Sequence, residues 1–301
     1  MKKISRFSLA LGLGLFTIAC GAAAQEQGAL GPTLDRVVAR NAVYVGYREA
    51  ALPLSYQIPG QAAPVGYMWE ICGHVVKAMQ EKVGKAVPLV PVAVTDNARV
   101  MMLKTGITDL DCGAAASTVA RQKQVGLSYT VYVSELRVLV RQGAGIERFE
   151  QLADKRVVIL NGGVADRQVK QNALTRNISL QLLQVNTPAE AMALLAKGEV
   201  DAYVGDDATL AAQRATQKDG YELLVGGLAA EPYAIMLPKD DAVLKKLVDE
   251  TLLSLMQSGE LAKIYDRWFI SPIPPANVSL DSPMSALLKA AIQAPNDKPV
   301  N

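Results

Sequence analysis

Histidine is nearly missing from this chain: His74 is the only one among 301 residues. A lone imidazole cannot build a histidine-rich metal constellation, and it leaves no plausible Ser/His or Cys/His nucleophile pair. Cysteine is almost as scarce, with Cys20, Cys72 and Cys112, too few for a cysteine-based zinc site. There is no Gly-x-x-x-x-Gly-Lys phosphate loop and no Gly-x-Gly-x-x-Gly turn, which removes the usual signatures of nucleotide binding. Charge of one sign is lacking too. The full chain carries 31 Lys plus Arg and 29 Asp plus Glu, and three of the basic residues, Lys2, Lys3 and Arg6, sit at the extreme N-terminus, leaving 28 against 29. No basic patch argues for nucleic acid or a membrane surface.

What is present begins with a leader. Lys2, Lys3 and Arg6 form a basic start, Phe7 to Ile18 an apolar stretch, and Ala22-Ala23-Ala24 a small-residue cleavage site. This is the pattern of a secretory signal peptide over residues 1–24, shorter than a membrane span. Lipidation at Cys20 is disfavoured by Thr17 three residues before it. No later apolar run has spanning length, so the mature chain is expected to be exported and soluble. Export permits a disulfide between Cys72 and Cys112; the residues fit two buried small hydrophobes slightly better, and that is the expectation.

About 280 residues remain, enough for two domains. Thr33 is placed to cap a helix over Leu34 to Arg40, and Ala42 to Gly46 reads as a buried strand. Ile71, Val75, Val76, Met79 and Val83 share one helical face. Val87 to Val94 is a strand, and Asn97 to Thr105 a helix. Extended segments at Ser128 to Val133 and Glu135 to Arg141 lead into a second alternating set. There Phe149 to Ala153, Asp166 onward, Pro188 to Lys197 and Ala208 to Gln217 are helical. Arg156 to Leu160, Ser179 to Val185 and Asp201 to Val204 are strands. Such alternation predicts parallel sheets with crossover helices. Tyr233 to Pro238 is extended, Asp241 to Ser258 and Leu261 to Phe269 are helices, and Pro272 to Pro275 end regular structure before a last helix over Pro283 to Gln293.

The stretch Leu103 to Arg121 organises the first half. Gly106 can close a helix in the left-handed region, Asp109 to Cys112 reads as a short strand, and Gly113 with three alanines leaves room for close backbone approach. Ser117 or Thr118 can cap the next turn, which carries Arg121. Small residues, amides and a guanidinium suit a carboxylate. The pattern Leu-x-x-Gly-x-x-Asp-x-x-x-Gly, here Leu103 to Gly113, returns 92 residues later as Leu195 to Gly205. The chain therefore reads as two similar halves.

In order, Thr33-Leu34-Asp35-Arg36, Val45-Gly46-Tyr47-Arg48-Glu49, Pro53-Leu54-Ser55-Tyr56, Val65-Gly66-Tyr67, Arg121-Gln122-Lys123-Gln124, Gly205-Asp206-Asp207-Ala208, Trp268-Phe269, Pro272-Ile273-Pro274-Pro275 and Pro295-Asn296-Asp297-Lys298 carry a resemblance. The chain resembles periplasmic solute-binding proteins of polar amino acid ABC transporters (family 3 of the bacterial extracellular solute-binding proteins), above all those that bind glutamate and aspartate. The likeness runs from about Thr33 to the end. It implies the α/β, two-lobed type II periplasmic binding protein fold: two parallel-type sheets flanked by helices and joined by two extended hinge crossovers. Residues 33–133 plus 235–277 would form lobe one, 134–234 lobe two and 278–301 a C-terminal tail. It implies a periplasmic monomer that hands a small polar or acidic amino acid to a membrane permease, with no cofactor, no metal and no catalysis.

The resemblance also implies a site. Arg121 would grip the ligand's α-carboxylate and Asp206 its α-amino group. Arg48 and Arg99 would meet a side-chain carboxylate. Ala114 would offer a carbonyl and Gly163 an amide, with Ala116 and Thr118 completing the cradle, and Tyr47 and Tyr56 serving as pocket walls or core. The chain departs from the family at Ala114, Ala116 and Val164, where hydroxyls are lost, near Pro188, where a histidine is lost, and at Asp96, which stands in for a serine. Arginines that attract an anion are kept while neutral hydrogen-bonding groups are gone, which leaves glutamate itself open as the ligand. The alternatives are a carboxylate that is not an amino acid, a sensor that docks its loaded form on a membrane receptor, or an exported dehydratase of the cyclohexadienyl or arogenate type. The last requires a raised carboxyl pKa at Asp96 or Glu49.

Overall fold

A computed structural model describes residues 30–161, 164–217 and 220–300. The leader and Gly163 lie outside the described residues. The first half runs α1 (Pro32–Arg40), β1 (Val43–Tyr47), β2 (Ala50–Ala51), β3 (Ser55–Tyr56), α2 (Tyr67–Val83), β4 (Leu89–Ala93), α3 (Arg99–Lys104), β5 (Leu110–Ala116), α4 (Val119–Gln122) and β6 (Gly126–Leu127). The second runs β7 (Tyr132–Arg141), a 3₁₀ turn at Phe149–Leu152, β8 (Arg156–Leu160), α5 (Val164–Thr175), β9 (Gln181–Val185), α6 (Pro188–Lys197), β10 (Ala202–Asp206), α7 (Asp207–Thr216) and β11 (Tyr221–Leu223). β12 (Ala229–Leu237), α8 (Ala242–Gln257), α9 (Glu260–Phe269) and α10 (Ala286–Gln293) close the chain.

Two parallel sets, β4-β1-β5 and β10-β8-β9, form the ends of the sheet. Their short valine- and leucine-rich strands need cover on both faces. α2 supplies part of it, burying Met68, Ile71, Cys72, Val75, Val76 and Met79 at helical spacing before Gly84 ends the helix in the left-handed region. α6 covers the second set: Thr187 and Glu190 form a capping box, Pro188 fills the first turn, and Gly198 ends it at φ 74°. The sets are not separate sheets. The long strands β7 and β12 pair antiparallel with each other, with Tyr132 opposite Tyr233, and β12 pairs with β5 while β7 pairs with β10. One continuous ladder results, parallel at its ends and antiparallel in the middle.

The repeated motif has a shared physical basis. Gly106 takes φ 72° and its carbonyl accepts from Arg40 Nη1 at 2.8 Å, while Asp109 accepts from Arg40 and from the Tyr44 amide at 2.9 Å. In the second half the Gly198 carbonyl accepts from Arg156 Nη2 at 3.0 Å, and Asp201 accepts from Arg156 and its amide at 2.9 Å. In each half an Asp just before one strand pins the start of its parallel neighbour, and an Arg ties that Asp to the preceding helix cap.

Several expectations change. Helix α1 starts at Pro32, not after a Thr33 cap, because proline has no amide to leave unsatisfied there. Thr33 is buried, and its amide donates to Asp241 Oδ2 at 3.0 Å, whose other oxygen caps α8 through the Leu244 amide. β5 does not stop at Cys112. It runs through all three alanines, with Ala115 and Ala116 paired to Ala234 and Tyr233. Cys72 and Cys112 are also not two separate thiols: they form a disulfide between α2 and β5, with Cα atoms 6.4 Å apart. The bridge closes a 40-residue separation, so replacing both cysteines by alanine should cost about 2–4 kcal/mol of unfolding free energy, measurable by urea denaturation.

The C-terminal segment is stitched to the first half. Val300 donates to the Ser117 carbonyl at 2.9 Å and accepts from the Val119 amide at 3.0 Å, and the Asn296 carbonyl accepts from the Thr130 amide at 3.0 Å.

Candidate functional site

Charged residues gather where β1, β5 and β10 end, the edge of an α/β sheet at which ligands are commonly held. Arg48 follows β1, and its backbone is fixed by an amide bond to Ser55 Oγ at 3.1 Å. Arg99 opens α3, with its amide on the Thr95 carbonyl at 3.0 Å. Both stems cross Gly113, where an added Cβ would lie 2.7 Å from Arg48 Cγ and 3.1 Å from Arg99 Nη2. The glycine in β5 is therefore required by close approach. Beside it Ala114 holds φ 56°, a left-handed conformation that costs a residue with a Cβ of order 1 kcal/mol.

Arg99 is buried, at 1% side-chain exposure, and is largely committed. Its Nε and Nη2 hold both oxygens of the fully buried Asp111, with Nε to Oδ2 at 3.0 Å. Asp111 also accepts the Gly113 amide at 3.0 Å. Only Nη1 faces outward, 3.3 Å from Asp96 Oδ1 and 3.5 Å from the Ala114 carbonyl. Arg48 Nη1 donates to the same Asp96 oxygen. Burial works against the Asp96 charge, but the hydrogen bond and charge of Arg48, with Arg99 behind it, hold its carboxyl below the usual range. Glu49 is exposed. At Asp96 the raised acid that a dehydratase would need is thus absent.

Arg121 lies in α4 and donates from Nη1 to the Ala116 carbonyl at 2.6 Å. Among the described residues it has no carboxylate within 4.0 Å. Burial and the charge of Arg99 lower its pKa, so its cation sits in surroundings that would welcome an anion. Thr118 caps α4 by accepting the Arg121 amide at 3.2 Å. The leading amides that the sequence suggested for a ligand are therefore partly taken, Val119's by Val300 and Arg121's by Thr118. Ala116 is held in β5 by its pairing with Tyr233.

Asp206 ends β10 and accepts from Thr209 Oγ1 at 3.1 Å. Among the described residues no cationic group lies within 4.0 Å of its carboxylate, and burial raises its pKa. Burial, and then the charge of Asp206, push neighbouring Asp207 up to about 7. Glu231, on β12, is a site group that sequence reading missed. Burial raises its carboxyl, Arg167 opposes that, Asp206 adds to it and Arg121 opposes it. Glu231 thus lies close enough to sense both Arg121 and Asp206, and so does Tyr233. Neither residue carries a local motif; only the pairing of β12 with β5 and β7 brings them here.

The tyrosines resolve toward the core. Tyr56 is buried and donates to the Pro274 carbonyl at 2.6 Å, and Tyr47 packs edge-on against Trp69. Among the described residues the site therefore offers a guanidinium and a carboxylate without ion-pair partners and, at its other end, two arginines sharing Asp96. Among the described residues no cluster of His, Cys, Asp and Glu could hold a metal, and no helix is long and apolar enough to cross a membrane.

The chain is similar to proteins of one kind. Bacterial extracellular solute-binding proteins, family 3, match it over residues 43–271. The glutamate/aspartate import solute-binding protein of Escherichia coli (strain K12) is 34% identical over 278 residues, 91% of each chain. The protein of the same description from Salmonella typhimurium is 32% identical over 308 residues, covering 100% of this chain and 99% of that one. Among solved structures, the ancestral amino acid-binding protein AncCDT-1, a precursor of cyclohexadienyl dehydratase, superposes with a TM-score of 0.64 over 78% of this chain and 98% of its own, at 22% identity, a likeness of fold alone.

Proposed function

Since this chain belongs to the bacterial extracellular solute-binding proteins of family 3, we propose that it captures an acidic amino acid, glutamate or aspartate, and delivers it to the membrane permease of an ABC importer. Two relatives with that printed role, each about a third identical along nearly the whole chain, support the ligand class. The function is binding and not catalysis.

The observation that carries the reading is a pair of opposite charges that, among the described residues, have no oppositely charged partner within 4.0 Å. Arg121 offers a guanidinium fork to an α-carboxylate, and Asp206 offers a carboxylate to an α-ammonium. Burial disfavours the charge of each while it is alone, and a zwitterion relieves both. Arg48 and the outward nitrogen of Arg99 receive the distal carboxylate. The Ala114 carbonyl, Ala116, Thr118 and the Gly163 amide complete the cradle. Residues 33–133 with 235–277 act as one lobe and 134–234 as the other. The crossovers at β7 and β12 act as the hinge that closes on the ligand, and residues 278–301 form a tail braced on lobe one. Residues 1–24 direct export to the periplasm, with cleavage near Ala24.

Ligand that binds only the folded state stabilises it by mass action. Saturating L-glutamate or L-aspartate, at about 100 times Kd, should therefore add roughly 2.7 kcal/mol and raise Tm by several degrees. A thermal-shift screen of the common amino acids and dicarboxylates checks this. Stabilisation by neutral or basic amino acids only would overturn the acidic assignment.

A further inference from the structure

We infer that Asp96 is a built-in stand-in for the ligand's distal carboxylate, holding the acidic subsite shut and setting how tightly and how selectively the protein binds acidic amino acids. The inference rests on the proposed function and concerns what this chain does with its own site.

Three observations lead to it. First, Asp96 Oδ1 lies on Arg48 Nη1 and 3.3 Å from Arg99 Nη1. Asp111 holds the other side of Arg99, which leaves Nη1 as the nitrogen Arg99 can turn to a ligand. An arriving carboxylate oxygen that bridges Arg48 Nη1 and Arg99 Nη1 takes the position Asp96 Oδ1 occupies. Second, Asp96 is not built in permanently. Its side chain is 64% exposed, whereas that of Asp111 is fully buried. It sits in the turn between β4 and α3, free to swing into solvent without opening the core. Third, the charges already balance without a ligand: Arg48 and Arg99 face Asp96 and Asp111. A second free carboxylate placed there meets like charge unless Asp96 leaves.

Asp96 therefore competes with every acidic ligand for Arg48. Displacing it means breaking an exposed ion pair, a modest cost, and any incomplete withdrawal adds carboxylate–carboxylate repulsion. An uncharged amide ligand meets no such repulsion. The residue thus lowers affinity for glutamate more than for glutamine, which makes it a determinant of selectivity as well as of affinity.

The test is calorimetric titration of L-glutamate and L-glutamine into wild type, Asp96→Asn, Arg48→Ala and the double variant. Asp96→Asn keeps the shape and removes the charge. It should tighten glutamate binding roughly tenfold while changing glutamine binding much less. In the Arg48→Ala background the same substitution should bring little of that gain, which a general effect on folding would not reproduce. Unchanged or weaker glutamate binding in Asp96→Asn, an equal gain for both ligands, or a gain that persists in full without Arg48 overturns the inference while leaving the proposed function standing. Failure of wild type and Asp96→Asn alike to bind any acidic amino acid overturns both.

Discussion

Asp111→Ala should lower the unfolding free energy by about 3–5 kcal/mol. The reason is the residue left behind. Arg99 is 1% exposed and has two nitrogens on the fully buried Asp111. Without that carboxylate a buried guanidinium keeps its desolvation cost and loses most of what offset it. The Gly113 amide loses its acceptor as well. Exposed Asp96 offers little compensation, since its one bridging oxygen is already shared with Arg48. Urea denaturation of Asp111→Ala against wild type measures the loss. Adding Arg99→Met should recover much of it, because removing both members of a buried pair costs far less than removing one. A single variant as stable as wild type would show that the pair does not hold this end of the sheet.

Arg121→Ala should weaken ligand binding by roughly thirtyfold or more and leave the unliganded protein nearly as stable as wild type. Arg121 makes one hydrogen bond to the Ala116 carbonyl, has no carboxylate partner among the described residues and bears a cation opposed by burial and by Arg99. Its removal therefore takes little from the folded state. A ligand carboxylate, in contrast, would lose a charged hydrogen-bonding partner in a partly desolvated place, a loss of about 2–5 kcal/mol. Calorimetric titration together with the melting temperature of the unliganded variant separates the two effects. Wild-type affinity in Arg121→Ala would place the α-carboxylate elsewhere. Asp111→Ala strikes stability first and Arg121→Ala strikes binding alone, so Arg99 and Arg121 have opposite characters.

That difference was not legible in the sequence. Arg99 and Arg121 look alike as single cations near a turn. What separates them is Asp111, twelve residues beyond Arg99 on a different element, and no spacing rule pairs a helix start with the next strand. The alanines misled for a similar reason. Gly113 to Ala116 has no alternation and little strand propensity, so it reads as an open turn, and only Tyr233 and Ala234 across the ladder make it a strand. The grip of Val300 on Ser117 and Val119 spans most of the chain and leaves no local trace. Periodic features fared better. The α2 face, the span of α6 and the order of alternating strands and helices were readable because each is written in neighbouring residues. The repeat from Leu103 and Leu195 was readable for the same reason, although its purpose, pinning strand starts through Asp109 and Asp201, required the structure.

Those two pinned strand starts bear on how such a protein can change over time. In β5 the anchor, Asp109, precedes the strand and the cradle ends it; in β10 Asp201 precedes the strand and Asp206 ends it. Five residues of strand, roughly 16 Å, separate the anchor from Asp206, the proposed ligand group, in the second case. Mutations at one end of a strand thus have little purchase on the other. On the proposed function, the binding end is free to exchange side chains for a new ligand while the opposite end keeps the scaffold intact. Innovation and inheritance occupy opposite ends of the same strands.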